Sequence, residues 1–265
     1  MAPRRSIRAI TVSFYGTTPA IGLWDAPTGT LRQADGVGRL AGEREVIPLF
    51  PLGMVLVPGL ALPLQIFEPR YRELISDLQA KPAADQFFGV IAIREGWEVG
   101  AQGVKALHDV GTSAALHEVR LHRDGRSEIV TVGVLRFKLI RLVAAGTPYL
   151  QGEVEWLSEA DGDAAEVLAA AVTRSFADYR QAVAAAGASE AELMHDLPGD
   201  PRQLSYLVAV AAVLDLSDQQ RLLAATETSD RLREELALLR REIALLRALP
   251  SLPAIELART GFTMN

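Results

Sequence analysis

Residues 45–74 form an almost continuously apolar stretch that prolines interrupt at short intervals. The prolines are Pro48, Pro51, Pro58, Pro63 and Pro69. A proline has no amide hydrogen to donate to a sheet, so it is confined to strand starts, edge strands and bulges. Inside a helix it breaks the hydrogen-bond ladder. The pattern therefore predicts short, buried strands and turns, with strands at residues 46–49 and 60–66, and excludes one long helix.

The apolar stretch leads directly into a predicted helix. Pro69 is well placed as its first residue, because proline has a fixed helical φ and no amide hydrogen to leave unpaired. Apolar residues then recur at helical spacing, namely Tyr71, Leu74, Ile75 and Leu78. Lys81 and Pro82 end this helix, and the apolar run at residues 87–93 is predicted to be a buried strand.

The clearest local signal is a β-hairpin. Two strand-like segments, residues 114–122 and 128–142, flank Asp124-Gly125, a dipeptide typical of two-residue hairpin loops. Gly133 in the second segment indicates a bulge or a close approach of backbone. A final strand is predicted after Pro148, at residues 149–157.

Strict alternation along the first hairpin segment predicts which side chains share a face. Leu116, Glu118, Arg120 and His122 fall on one face, and Ala115, His117, Val119 and Leu121 fall on the other. Because His117 and His122 then point apart, a metal ion shared between them is disfavoured. His108 and His195, each followed by an aspartate, have no obvious third partner, so no metal site is predicted.

The period becomes helical after residue 158. Asp163 with Glu166, Asp200 with Pro201, and Ser217 with Gln220 predict three helix starts. A last helix over residues 229–248 carries a leucine stripe that is shorter than three heptads, which favours packing inside the domain over a coiled coil. Its charged residues are predicted to form a solvated face: Arg231, Arg233, Glu234, Glu235, Arg240, Arg241 and Glu242.

Strands followed by helices are typical of the α+β class. We predict four segments along the chain. Residues 1–43 form a poorly ordered N-terminal extension, residues 44–158 a β-rich subdomain, residues 159–250 a helical subdomain, and residues 251–265 a C-terminal tail.

The amino-acid composition excludes several classes of function. The chain has 265 residues, 49% of them hydrophobic, which supports a substantial core. A net charge of −6 gives no basic field for nucleic acid, so nucleic-acid binding is not expected. The absence of cysteine excludes disulfides, Cys-ligated zinc and thiol nucleophiles, and fits a reducing, cytoplasmic location. No apolar run reaches the roughly 18 residues of a membrane-spanning helix.

The proline-rich motifs resemble a known family. Ile47-Pro-Leu-Phe-Pro-Leu-Gly53, Val57-Pro-Gly and Leu62-Pro-Leu-Gln-Ile-Phe-Glu-Pro-Arg-Tyr71 are similar to the N-terminal substrate-binding domain of the Lon ATP-dependent protease, in the variant of its stand-alone bacterial members. The resemblance covers about residues 44–248. It implies a PUA-like, mostly antiparallel β pseudobarrel with one packed helix, followed by a C-terminal helical bundle.

The resemblance also separates binding from catalysis. The full protease needs a Gly-x4-Gly-Lys-Ser/Thr phosphate loop, and no such string occurs in the 265 residues. A Ser-Lys pair in a separate catalytic domain is also expected to be missing. We therefore predict a non-enzymatic module without cofactors.

The resemblance implies that this module binds unfolded or extended polypeptide, or a partner protein such as a protease, as a monomer or weak dimer. Two alternatives stay open at this stage. One is a PUA-like domain that binds a small molecule or nucleic acid, and the other is a hydrolase with an unrecognised site.

A short list of residues could carry the binding function. The candidate binding residues are Phe67, Glu68, Arg70, Tyr71 and Trp97. A structural role is the favoured interpretation for three of them: Glu68 would cap the helix, Arg70 would pair with a carboxylate such as Glu73, and Tyr71 would pack inward. Trp97 would be an exposed aromatic anchor on a loop.

Overall fold

A computed structural model gives the architecture of the chain. The described residues are 9–11, 20–22, 39–96, 104–186 and 197–248. Strands β1 (Ala9–Thr11) and β2 (Ala20–Gly22) pair with each other antiparallel. Most of the predicted N-terminal extension, the predicted C-terminal tail, Trp97 and His195 lie outside the described residues.

The described elements follow the predicted order of strands and then helices. The strands of the larger sheet are β3 (Arg44–Leu52), β4 (Ala61–Ile66), β5 (Phe87–Gly96), β6 (Val104–Leu121), β7 (Ser127–Val143) and β8 (Gln151–Trp156). The helices are α1 (Pro69–Gln79), α2 (Ala165–Ala185), α3 (Pro201–Ala211), α4 (Leu216–Ala224) and α5 (Thr228–Ala248). This confirms the α+β class.

The larger sheet is mixed and partly closed on itself. Its order is β4-β7-β6-β5-β3-β8, and β7 also pairs with β8. Only β3 and β5 run parallel among these pairs. The long strand β7 makes this possible, because its first half pairs with β4 and its second half pairs with β8. Five strands therefore form a ring of pairings, and β4 lies outside that ring.

Helix α1 packs against one face of the larger sheet. It begins at Pro69, as predicted, and its predicted apolar stripe is buried. The stripe packs in one apolar core with residues of β3, β4, β5 and β7, and Tyr206 of α3 and Leu223 of α4 join that core. A separate apolar core fills the ring, around Phe137 and Trp156. Helices α3 and α4 therefore contribute side chains to the apolar core between α1 and the sheet.

The predicted hairpin between β6 and β7 is confirmed, but its loop is not the two-residue type. The amide of His122 donates to the carbonyl of Arg126 (2.8 Å), and the amide of Gly125 donates to the carbonyl of His122 (3.0 Å). A two-residue Asn-Gly or Asp-Gly loop needs positive φ at both residues, and here only Gly125 has it, at 81°. Asp124 instead accepts the amide of Arg126 through its side chain (3.0 Å), which stabilises the longer loop.

Bulges change the faces that strict alternation predicts. The β6–β7 register shifts between Leu116 and Glu118, so Leu116 and Val119, predicted on opposite faces, both pack against the α1 core. His117 lies within the same register shift, so strict alternation does not determine its direction relative to His122, and the prediction that the two point apart stays a prediction. The prediction for Gly133 is confirmed, since its amide donates to Leu60 (2.9 Å) and a Cβ there would collide with the carbonyl of Val57.

One of the three predicted helix starts is confirmed and two are wrong. Asp200 accepts the amide of Gln203 (2.8 Å) and caps α3. Helix α2 has no side-chain cap, because Ala164, with φ at 61°, turns the chain into the helix in place of Asp163. In α4 the cap is Asp215, two residues before the predicted Ser217, and it accepts the amide of Asp218 (2.8 Å).

Helices α2, α3 and α5 share a third apolar core. The leucine stripe of α5 faces into it, with Leu232, Leu239 and Ile243 buried, so packing inside the domain is confirmed for that stripe. None of the described helices is both long and apolar enough to cross a membrane.

Candidate functional site

Three of the predicted binding residues fix the start of α1. Glu68 precedes the helix but makes no side-chain cap. It pairs instead with the guanidinium of Arg70 (3.0 Å), which lies 4.4 Å from the ring centre of Tyr71. Tyr71 is buried and stacks on Phe50 at 4.0 Å between ring centres. The predictions of an inward Tyr71 and a carboxylate partner for Arg70 are confirmed, and capping by Glu68 is wrong.

Phe67 differs from its neighbours because 56% of it is exposed. It follows Ile66, which pairs with Ser127 of β7, and Ser127 also pairs with Leu121 on the other side of β7. Adjacent strands lie about 5 Å apart, so Ile66 and Leu121 are roughly 10 Å apart across the sheet. Leu121 is 70% exposed. This end of the sheet therefore presents two large apolar side chains to solvent.

The hairpin loop is held against α1 at this end. A Cβ on Gly125 would collide with the guanidinium of Arg72, so the Arg72 side chain lies directly on the loop. Helix α1 packs on the sheet through Leu74, Ile75 and Leu78. The exposed end of the sheet is therefore supported by a helix and is not a free ribbon.

Strand β6 has an open side beyond Leu116. Its neighbour β5 accompanies it only up to the pair Phe87 and Ala115, and the amide of Leu116 donates to the carbonyl of Gln86 (2.8 Å). From there to Leu121, β7 is the only strand that pairs with it in the described part of the chain. We call residues 117–121 the β6 edge.

The hydrogen-bonding direction along the β6 edge follows from the loop. His122 directs its amide and carbonyl toward β7, where they meet Arg126 and Gly125. Main-chain groups alternate in direction along an antiparallel strand, so Val119 and Leu121 direct theirs away from β7. Among the residues that the structure describes, no strand pairs with these groups, and groups of this kind are a template for another extended chain.

The β6 edge has a polar and an apolar face. Glu118 and Arg120 pair with each other at 3.3 Å on one face, and their side chains are 60% and 67% exposed. Arg120 also lies 3.7 Å from Glu128 of β7. Val119 and Leu121 occupy the other face, which continues the α1 core, although only Val119 packs against that core. An extended chain on this edge would gain main-chain hydrogen bonds and apolar contact together.

A buried ionic cluster, which the sequence does not predict, links the helices to the sheet. Arg231, predicted on a solvated face, has no exposed surface. Its guanidinium donates to the carboxylate of Glu159 (2.7 Å), to Ser205 (3.0 Å), to the hydroxyl of Tyr206 (3.0 Å) and to the carbonyl of Leu222 (2.9 Å). The cluster therefore connects α3, α4 and α5 with the segment that follows β8.

Arg136 of β7 joins the sheet to the same cluster. Its guanidinium donates to the carbonyls of Leu223 (2.7 Å) and Ser158 (3.1 Å) and lies 3.4 Å from the carboxylate of Glu159. The hydroxyl of Tyr206 also donates to Glu159. Burial by itself would raise the pKa of Glu159, but Arg231 and Arg136 outweigh it and lower that pKa. The charged groups are satisfied internally, so the cluster is structural.

Glu235, one turn after Arg231, is the second charged residue wrongly predicted to be solvated. It is 1% exposed, and neither of its carboxylate oxygens has a hydrogen-bond partner among the residues described. Burial raises its pKa well above the usual value, and Arg231 opposes this only in part. Burial therefore favours the protonated form of the Glu235 carboxyl.

Other candidate chemistry is limited. A cavity of about 300 Å³ lies beside Arg39, but the Arg39 guanidinium is occupied by Glu45 (2.7 Å), by Asp85 (3.3 Å) and by the ring of Phe87 (4.2 Å to its centre). Within the described ranges, no group of three or more His, Cys, Asp or Glu residues is arranged to hold a metal ion. The β6 edge is the most distinctive accessible feature.

Known proteins match most of the chain. The family model of the ATP-dependent protease La (LON) substrate-binding domain matches residues 46–241. Lon protease 2 of Thermus thermophilus is 28% identical over 207 residues, covering 76% of this chain and 25% of that protein. Lon protease of Escherichia coli (strain K12) is 27% identical over 207 residues, covering 77% of this chain and 26% of that protein. The chain thus spans about a quarter of the length of these relatives.

Solved structures support the same fold. The Lon N-terminal domain protein from Xanthomonas campestris has a TM-score of 0.53 and 24% identity, covering 73% of this chain and 98% of that chain. The N-terminal domain of Mycobacterium avium complex Lon protease has a TM-score of 0.52 and 18% identity, covering 76% of this chain and 98% of that chain. With the family match over residues 46–241, the chain belongs to the family of the Lon substrate-binding domain.

Proposed function

We propose that this chain binds unfolded or extended polypeptide by adding it as a strand to the β6 edge. The single observation that carries the proposal is the direction of the main-chain groups of Val119 and Leu121, which point away from β7. Strand addition draws its affinity from main-chain hydrogen bonds, so it accepts many sequences. That tolerance suits a domain of the substrate-binding type.

Apolar contacts would supplement the main-chain bonds. Leu121 lies on the edge itself, and Phe67 lies on the other side of β7 at the same end of the sheet. The edge is only five residues long, and an unfolded client must lose conformational freedom when it binds. We therefore expect micromolar or weaker affinity, with no dependence on ATP.

We further propose that the chain acts without catalysis of its own, as a cytoplasmic module that holds clients or a partner protein such as a protease. The match to a substrate-binding domain supports this. So does the buried ionic cluster, whose charged groups are bonded to one another and are not accessible to a substrate.

We also propose the finer architecture that the resemblance implies. Residues 44–158 form a PUA-like pseudobarrel, supported by the ring of pairings through β7 and β8. Residues 159–250 form a helical bundle, supported by the core that α2, α3 and α5 share. Residues 1–43 and 251–265 would then be an extension and a tail.

A proline substitution in the β6 edge tests the binding proposal. Leu121→Pro removes an amide hydrogen that points away from β7, so it blocks strand addition and leaves the β6–β7 ladder in place. We expect at least about tenfold weaker binding of a fluorescently labelled, reduced and unfolded protein, measured by fluorescence anisotropy.

Two further variants separate the main-chain bonds from apolar contact. Leu121→Ala keeps the amide and loses only the side chain, so we expect a smaller loss of affinity. Leu142→Ala truncates an exposed leucine that lies on β7 and outside the β6 edge. This variant should bind the unfolded protein as the wild type does. Saturable binding that Leu121→Pro leaves unchanged would exclude the β6 edge, and no saturable binding by the wild type would refute the function.

A further inference from the structure

We propose that, in the absence of a client, a second copy of this chain occupies the β6 edge. The two copies would pair their β6 strands antiparallel about a two-fold axis at Val119. An exposed strand edge is a liability that folded proteins cover or block, and here the edge is complementary to itself.

The hydrogen-bonding pattern permits this pairing. Val119 and Leu121 direct their main-chain groups away from β7. A two-fold axis at Val119 places this residue opposite its own copy, so that the two exchange both main-chain hydrogen bonds, as in a regular antiparallel ladder. An interface of this kind uses the same patch on both subunits, as a two-fold axis requires.

The charges select the register. With the axis at Val119, Glu118 lies opposite Arg120 of the second copy, at a position where the side chains of paired strands come closest. The symmetric pair repeats this contact, giving two ion pairs. An axis at Arg120 would instead place the two Arg120 side chains opposite each other, which is destabilising. Both side chains are mainly solvent-exposed in the single chain, and their contact with each other there could be exchanged for the contacts across the axis.

The apolar face is complementary as well. Side chains alternate across a strand, so the face opposite the charges brings the two Val119 residues together at the axis. Each Leu121 then lies beside Val119 of the second copy, at the diagonal distance within which long side chains still touch. Leu121, at present 70% exposed, would thereby be covered. One strand pairing thus satisfies the main-chain groups of Val119 together with the charged and apolar side chains of the same edge.

The dimer would regulate the proposed function. Client and second copy would use the same main-chain groups of Val119 and Leu121, so occupancy by one would exclude the other. This competition rests on the proposed function, whereas the dimer does not. Because the edge is five residues long, we expect a weak dimer that clients can displace.

Charge reversal provides a test with a built-in rescue. In Glu118→Arg every cross-copy pair becomes Arg with Arg, and in Arg120→Glu every pair becomes Glu with Glu. Each variant alone should therefore associate at least about tenfold more weakly than the wild type. An equimolar mixture of the two restores both opposite-charge pairs, so it should form a heterodimer. Sedimentation velocity over a concentration series measures all three.

Matched controls come from an exposed face of α2, where Asp178→Arg and Arg174→Glu make the same charge changes. Neither should alter association, and their mixture should associate as the wild type does. A wild type that stays monomeric at millimolar concentration, or single variants that dimerise like the wild type, would overturn the proposal. A mixture that dimerises while no variant binds unfolded protein would uphold the dimer and refute the client function, so the two failures are distinguishable.

Discussion

Arg231→Met should destabilise the fold strongly, because it removes the centre of the buried ionic cluster. The guanidinium donates to the carboxylate of Glu159 and to three further oxygen atoms, and it has no exposed surface. Removing one partner of a buried ion pair costs about 3–5 kcal/mol. Arg136 stays 3.4 Å from Glu159 and keeps part of the charge balanced. We therefore expect about 3 kcal/mol, the lower end of that range.

Urea unfolding followed by far-UV circular dichroism measures this loss. At an m-value of about 2 kcal/mol/M, the midpoint of unfolding should fall by roughly 1.5 M. The matched control is Arg233→Met, two residues later on α5, where the arginine is half-exposed and pairs with Asp230. An exposed pair of this kind contributes at most about 0.5 kcal/mol. Equal midpoints for the two variants would refute the assignment of Arg231 to the buried cluster.

A double variant separates charge from packing. Arg231 and Glu159 are in direct contact, so each single variant breaks the same ion pair. If the loss in Arg231→Met is mainly electrostatic, the double variant Arg231→Met/Glu159→Gln should therefore lose less stability than the sum of the two single variants. Loss of packing alone would give additive effects. A double variant less stable than the sum of the singles would contradict the electrostatic account.

Two further predictions concern other buried sites. Because the pKa of Glu235 is raised in the folded chain, its carboxyl favours folding at low pH and this contribution is lost as pH rises from about 4.5. The stability of Glu235→Gln relative to the wild type should therefore rise between pH 5 and pH 8, as measured by urea unfolding at each pH. The same difference in free energy of unfolding between variant and wild type at both pH values would contradict the burial of an unpaired acid. Gly133→Ala should lose about 1–3 kcal/mol of unfolding free energy, because its Cβ would collide with Val57. The control Gly199→Ala has open space around it and should be nearly neutral. Equal unfolding midpoints for the two variants would show that the backbone contact at Gly133 is not tight.

Local signals in the sequence predicted the elements well where short-range chemistry decides them. Pro69 set the start of α1, and the spacing of Tyr71, Leu74, Ile75 and Leu78 set its buried face. Asp200 marked the start of α3 by its own side chain. In these cases the residues that determine the structure lie within one turn of each other.

Features that depend on distant partners could not be predicted in the same way. Arg231 lies next to the buried Leu232, but periodicity alone does not show that Glu159, from a segment 72 residues earlier, lies beside it. A bulge shifted the register near His117, and a bulge leaves no signal in an alternating pattern. Of the seven charged α5 residues predicted to be solvated, Arg231 and Glu235 are buried, and helical spacing alone does not single them out.

The candidate site also combines a feature that local sequence predicts with one that depends on distant partners. Phe67 was singled out from its motif, and the structure leaves it exposed. The sequence does not predict the β6 edge, because its openness depends on where β5 begins, at the pair of Phe87 with Ala115. The alternating charged and apolar residues from Glu118 to Leu121 were visible, but in the sequence they resemble any half-buried strand.

Hydrogen–deuterium exchange tests the central claim most directly. It compares the chain with and without a saturating unfolded client, at a concentration low enough to keep the chain monomeric. The account predicts slower exchange of the Val119 and Leu121 amides when the client is present, because these amides point away from β7 and would donate to the added strand. Unchanged exchange at both amides, with a saturated client protecting another surface, would contradict it.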